Sequence, residues 1–147
     1  FDAIHLANRT ALACLGGYSM SKGLVVLDTL MDIDRGDFPR GGLIDRRGNL
    51  NLSGRYLKSL LAFFEPSRLQ HPLVIEKTST KQAHTLVRFK RNGRQFCLCL
   101  SQEIDSTRIK TITQELGKIQ DCFDLQNGAF IDIDRNESPS AGLLLAL

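Results

Sequence analysis

Arg91-Asn92-Gly93-Arg94 separates two runs of strand-forming residues, Thr85 to Lys90 and Gln95 to Leu100, by a dipeptide that favours the tightest β-turn. A two-residue Asn-Gly connection leaves the flanking segments one option: they pair as antiparallel neighbours. The second run is Phe96-Cys97-Leu98-Cys99-Leu100, apolar at every position and therefore on both sides of the pleat. A strand of that kind is central and covered on both faces, so a chain containing it must build a sheet with packed layers above and below. Everything else in the sequence is read against that requirement.

Helical spacing of Ile4, Ala7, Ala11, Leu12 and Leu15 predicts a first helix from Ala3 to Leu15, stopped by Gly16-Gly17. Ser19 or Ser21 caps a second helical segment carrying Leu24, Leu27, Leu30 and Met31, and the Arg35 to Arg40 stretch breaks it. Gly42 to Leu52 reads as two short strands folded about Arg47-Gly48-Asn49. Ser53 then caps a central helix whose stripe is Tyr56, Leu57, Leu60, Leu61 and Phe64, ended by Glu65-Pro66. A strand at Leu73 to Lys77 and a polar Thr78 to Gln82 turn precede the Asn-Gly hairpin. Ile109, Ile112, Leu116, Ile119 and Phe123 predict a last helix running to Phe123, capped at Asp105 or Ser106. Gln126-Asn127-Gly128 turns the chain, Ala129 to Asp134 adds an edge strand, and Leu143 to Leu147 forms a docking tail. The expected fold is α+β: a five-stranded antiparallel sheet, made of hairpin, helix and three-strand meander, with helices packed on it. Residues 1–20 are expected as a helical extension, 21–124 as the domain and 125–147 as the edge strand and tail.

At 147 residues, 42% hydrophobic and 24% charged, the chain suits one domain with its own core. No apolar run reaches the roughly 18 to 20 residues of a membrane span, and a cytoplasmic location is expected. Cys14, Cys97, Cys99 and Cys122 form no C-x-x-C pair and are expected as reduced, buried thiols. Cys97, Cys99 and His84 fall short of a zinc pattern, so no metal and no cofactor is expected. Asp132-Ile133-Asp134 opens like a calcium loop but lacks the glycine and glutamate that complete one, and Asp32, Asp34 and Asp37 read as a solvated loop. No phosphate-binding glycine motif occurs, and no base, nucleophile and orienting group can be named together, so catalytic residues are not assigned.

Charge is uneven: residues 38 to 95 hold twelve Lys or Arg against three acids, and the remainder holds seven against thirteen. A basic middle of this kind steers acidic partners. Arg46, Arg47, Arg55, Lys58, Lys90, Arg91 and Arg94 are the candidates for a nucleic-acid-binding surface, although aromatic stacking platforms are few, with Trp absent and Tyr limited to two.

Leu27-Asp28-Thr29-Leu30-Met31 followed by Gly41-Gly42-Leu43-Ile44-Asp45-Arg46-Arg47-Gly48-Asn49-Leu50 resembles the opening of the roadblock/dynein light chain family. The later helix, three strands and closing helix follow in the same order, so the resemblance covers about residues 21 to 124. It implies a roadblock, longin or profilin-like fold and a non-enzymatic adaptor. Such an adaptor dimerises with itself or a homologous subunit through its central helix and serves a small Ras-like GTPase or a larger assembly. On this reading Tyr56, Leu60, Phe63 and Phe64 form the interface. A PAS-like sensor also runs hairpin, helices and three strands, but only about twenty residues separate Leu52 from Leu73, too few to enclose a ligand.

Overall fold

Among the described residues every strand pairs antiparallel, and the six strands form one open sheet flanked by three helices. The structure, a computed structural model, describes residues 3–20, 25–26, 30–31, 42–64, 73–81, 84–102, 106–133 and 140–147. In chain order the elements are α1 (Ala3–Ser19), α2 (Leu52–Phe64), β1 (Val74–Lys81), β2 (His84–Arg91), β3 (Arg94–Ser101), α3 (Ser106–Leu116), β4 (Asp121–Asp124), β5 (Ala129–Ile131) and β6 (Gly142–Ala146). The sheet order is β1-β2-β3-β6-β4-β5, so the last strand is inserted between β3 and β4. No described helix is long and apolar enough to cross a membrane.

The Asn-Gly turn forms as its sequence requires, with positive φ at both central residues (Asn92 54°, Gly93 72°) and Arg91 opposite Arg94. β3 has a buried run from Cys97 to Ser101 and sits third of six strands, covered on both sides. Register separates its side chains into two layers. Leu98 and Leu100 join Val87, Phe89 and Leu144 under Ala7, Ala11, Cys14 and Leu15 of α1 and Tyr56, Leu60 and Phe64 of α2. Cys97 and Cys99 join Leu86, Cys122, Leu143 and Leu145 under Ile112 of α3. The α1 stripe Ala7, Thr10, Ala11, Cys14 and Leu15 has the 3- and 4-residue spacing that keeps one helix face against a core. Within the first layer, between the sheet and helices α1 and α2, are five ring contacts among Tyr18, Phe63, Phe64, Phe89 and Phe96, with centroids 4.6 to 6.1 Å apart.

Several expectations need correction. The sheet has six strands rather than five: the 42–52 hairpin contributes only isolated bridges, Ile44 with Leu50 and with Met31, while β4, β5 and β6 join the three-strand meander. It is still a turn: the Asp45 carboxylate accepts the Arg47 and Asn49 backbone N–H groups and the Asn49 side chain at 2.8 to 3.0 Å. α1 runs through Gly16-Gly17 to Ser19, and a side chain at Gly17 would meet Val25 at 2.5 Å, so close approach explains that residue better than helix termination. Thr78 to Lys81 are strand, paired with His84 to Val87, not turn. α3 stops at Leu116 because Gly117 takes φ +86° and donates its N–H to Thr113 O at 2.8 Å; Cys122 and Phe123 belong to β4.

The expected tail is a core strand. β6 pairs with both β3 and β4, Leu143, Leu144 and Leu145 are each at most 3% exposed, and Gly142 leaves no space for a side chain: an added Cβ would lie 2.4 Å from the Tyr56 ring. Residues 3–20 likewise pack into the same core as residues 52–64. The second helical segment falls largely outside the described residues, and Val25, Val26, Leu30 and Met31 within it are not helical. The Arg35 to Arg40 break, Asp32, Asp34, Asp37, Glu65-Pro66, Asp105 and Asp134 also lie outside them.

Candidate functional site

The expected interface stripe on α2 faces inward. Tyr56 and Leu60 are 0% exposed and Phe64 1%, all within the core beneath α1 and the sheet, and Phe63 is half-buried against Phe96. The amphipathic spacing that identified these residues is satisfied by the chain's own sheet, so they are not a surface offered to a partner.

The expected basic surface divides. Arg91 is 7% exposed; its guanidinium donates to Phe63 O at 2.6 Å and Phe64 O at 2.7 Å and lies 5.2 and 5.3 Å from their ring centroids. It closes the C-terminal end of α2, where carbonyls lack intrahelical partners and a cation is favoured. Lys90 is ion-paired with Glu76 at 2.7 Å, and Arg94 is exposed on the same β2–β3 hairpin. Arg46 and Arg47 are exposed at the tip of the 42–52 turn. Arg55 and Lys58 lie near the start of α2, nine and six residues before Phe64, which puts them about 9 to 14 Å along the helix from Arg91. The seven side chains therefore make no single patch.

Arg55 and Lys58 do form part of a site. With Ala62 they line one wall of an open groove of about 440 Å³ between α2 and the β4–β5 hairpin. Spacing of 3, 4 and 7 residues places Arg55, Lys58, Ser59 and Ala62 on one helix face, opposite to none of the core positions but beside them. Asn49 and Leu50 close one end, the Gln126-Asn127-Gly128 turn forms the other wall, and Phe123 lines the floor. Next to it Phe130 of β5 is 73% exposed and meets Phe123 edge to face, centroids 5.2 Å apart at 76°. The walls are fixed: Ser59 Oγ donates to Leu125 O at 2.9 Å, tying α2 to the turn. Beneath the turn Asp124, 1% exposed, accepts five hydrogen bonds, from the N–H groups of Gln126, Asn127 and Ser140, the Asn127 amide and the Ser140 hydroxyl. That carboxylate is the turn's internal anchor and has no donor left to seek.

A second open groove, about 620 Å³, lies between the end of α3 and the β4–β5 hairpin, with Lys118, Asp121, Asp132 and Phe130 among its lining, so Phe130 stands on the hairpin between the two grooves. Its charges are mixed, whereas the described lining of the α2 groove holds two cations and no acid.

The thiols are unsuited to nucleophilic work. All four are free and buried, and burial pushes Cys14 up to about 11 and Cys97 and Cys122 up to about 12, with Cys99 raised further by burial and its thiol neighbours. Among the described residues no group of three or more His, Cys, Asp or Glu is placed to hold a metal ion.

Sequence reasoning missed Phe123, Phe130 and Asp124. Phe123 fits a helical seam as well as a strand, so Gly117 was the one signal against a helix there. Compared with known families, curated proteins and solved structures, the chain matches no family model, no curated protein and no solved structure.

Proposed function

We propose that this chain is a non-enzymatic protein-interaction domain whose docking surface is the groove between α2 and the β4–β5 hairpin. The observation that carries the reading is Phe130, a large apolar side chain left 73% exposed with its ring against Phe123 of the groove lining, beside walls that the Ser59–Leu125 hydrogen bond ties together. Exposed aromatic side chains bordering a preformed depression are the usual anchors of protein interfaces. An open groove suits a macromolecular segment better than a small ligand, which needs most of its surface enclosed. The class agrees with what the roadblock resemblance implied, an adaptor for a small GTPase or a larger assembly, but the surface moves from the buried Tyr56, Leu60, Phe63 and Phe64 stripe to the groove.

A photo-crosslinking amino acid at position 130, in the full chain within its own cells, tests this. A discrete adduct is expected, distinct from any formed from position 80 on β1, and it should disappear when Ala62→Trp fills the groove without lowering the melting temperature. Adducts from 130 identical to those from 80, or surviving Ala62→Trp, would overturn the proposal.

A further inference from the structure

Resting on that docking reading, we infer that the occupant of the α2 groove is an acidic segment of a partner protein carrying an apolar side chain that seats on Phe123 and Phe130. Three observations converge. The exposed cations lining the groove, Arg55 and Lys58, share its helical wall three residues apart, and among the described residues no acidic side chain lines it with them. Neither is in a described ion pair; Arg55 makes only a 3.4 Å hydrogen bond to Leu50 O, through Nε, which leaves its terminal nitrogens for a carboxylate. Two described carboxylates on segments that border the groove are engaged elsewhere: Asp45 is turned into its own loop by Asn49 and Arg47, which hold its carboxyl below the ordinary value, and Asp124 is buried with five donors.

The apolar part of the groove lining across from α2 is Phe123, with the exposed Phe130 ring set edge to face against it, so a ligand that bridges the two presents charge to α2 and an apolar side chain to the β4–β5 hairpin. The other groove around the same hairpin makes the contrast, since Lys118 there is accompanied by Asp121 and Asp132 and offers no uniform sign. Nucleic acid is the poorer fit, because a phosphate backbone needs a track of cations. Here Arg46 and Arg47 stand on the turn whose Asn49 and Leu50 line the groove, but Arg91 is buried, Lys90 is paired with Glu76 and Arg94 sits with them on the β2–β3 hairpin, so the seven cations do not form one continuous track.

The experiment is a random-peptide display selection against the intact chain, followed by affinity measurement on the strongest peptide. Selected sequences should combine Asp or Glu with an aromatic residue or leucine. The affinity should fall about tenfold or more in Arg55→Glu/Lys58→Glu, fall with added salt, and hold in Lys118→Glu. A selection without acidic bias, or affinity unchanged by the double charge reversal, overturns this inference while leaving the crosslinks at position 130, and with them the docking reading, intact. Loss of those crosslinks to Ala62→Trp, with an adduct of twice the chain mass, would make the occupant a second copy and overturn it as well. So would tighter binding of a single-stranded oligonucleotide than of any peptide, abolished by the same charge reversal.

Discussion

The two halves of the sheet are built by opposite means. β1, β2 and β3 have eight residues each and follow one another in the chain, with the Asn92-Gly93 turn joining the last two. β6, β4 and β5 have five, four and three, and the half closes only when the last strand of the chain enters between two earlier ones. The meander half is roofed by the aromatic cluster and α2, while the face of β4 and β5 beside α2 is left open as the groove. The difference teaches where each task resides: local pairing and deep burial hold the fold, and the short hairpin at the far edge presents a surface.

The sharpest test of that division is Phe64→Ala. Phe64 is 1% exposed and touches Tyr18, Phe63 and Phe89, so its truncation should cost about 3 to 5 kcal/mol in urea unfolding. A loss under about 1 kcal/mol would mean that the roof does not carry the fold.

Gly142→Ala asks whether the closing half is part of the same cooperative unit. The added methyl would sit 2.4 to 2.6 Å from three Tyr56 atoms, so either β6 or α2 must shift, at about 2 to 3 kcal/mol. One unfolding transition at a lower midpoint is expected. Two separated transitions would show β6, β4 and β5 melting on their own and would break the comparison.

Arg91→Met keeps an apolar stem over the Phe63 and Phe64 rings but removes both hydrogen bonds to the end of α2. About 2 kcal/mol should be lost, the value of charge-assisted bonds to buried carbonyls. A change within 0.5 kcal/mol, the range of an ordinary surface substitution, would return Arg91 to the list of surface cations.

How legible each half was follows from the same contrast. The Asn-Gly turn, the β3 run and the α2 stripe are written in residues close together, and local rules find them. α2 was found, yet its facing was misread, because spacing marks an apolar face without saying whether the chain or a partner covers it. Leu143 to Leu147 is a short apolar run, the pattern of a buried strand, but its neighbours are Cys97 to Leu100 and Asp121 to Asp124, far away in sequence. No local signal names such partners. The groove depends on that insertion, so Arg55 and Lys58 could be nominated as cations while Phe123 and Phe130, which complete the site, could not.

Thiol ionisation gives a pH test with a definite sign. Burial raises Cys14 to about 11 and Cys97 and Cys122 to about 12, from an unfolded value of 9.0. The folded chain then holds protons that the unfolded chain releases, so this contribution is complete below about pH 9 and is lost as pH rises toward 11 and 12. Urea midpoints should fall between pH 8 and pH 10.5, less steeply in Cys97→Ala. An equal slope in that variant would show that Cys97 is not sequestered. Cys97 and Cys99 sit in the meander half and Cys122 in the closing half, so unequal alkylation rates would show which half opens first.

The smallest expected effect is the one that separates recognition from stability. Phe130 buries little, and its described ring contact is the edge of Phe123, so Phe130→Ser should move unfolding by no more than about 0.5 kcal/mol. Serine also removes apolar surface that the folded chain leaves in water, which lowers any tendency to aggregate through this edge. If the urea midpoint holds while crosslinking from the neighbouring position 129 disappears, the side chain is kept for what it touches outside the molecule. A loss of 2 kcal/mol or more, comparable to a core truncation, would instead make Phe130 a structural residue that packs the β4–β5 hairpin. The far edge would then belong with the meander half, and the division between holding and presenting would fail at the residue that defines it.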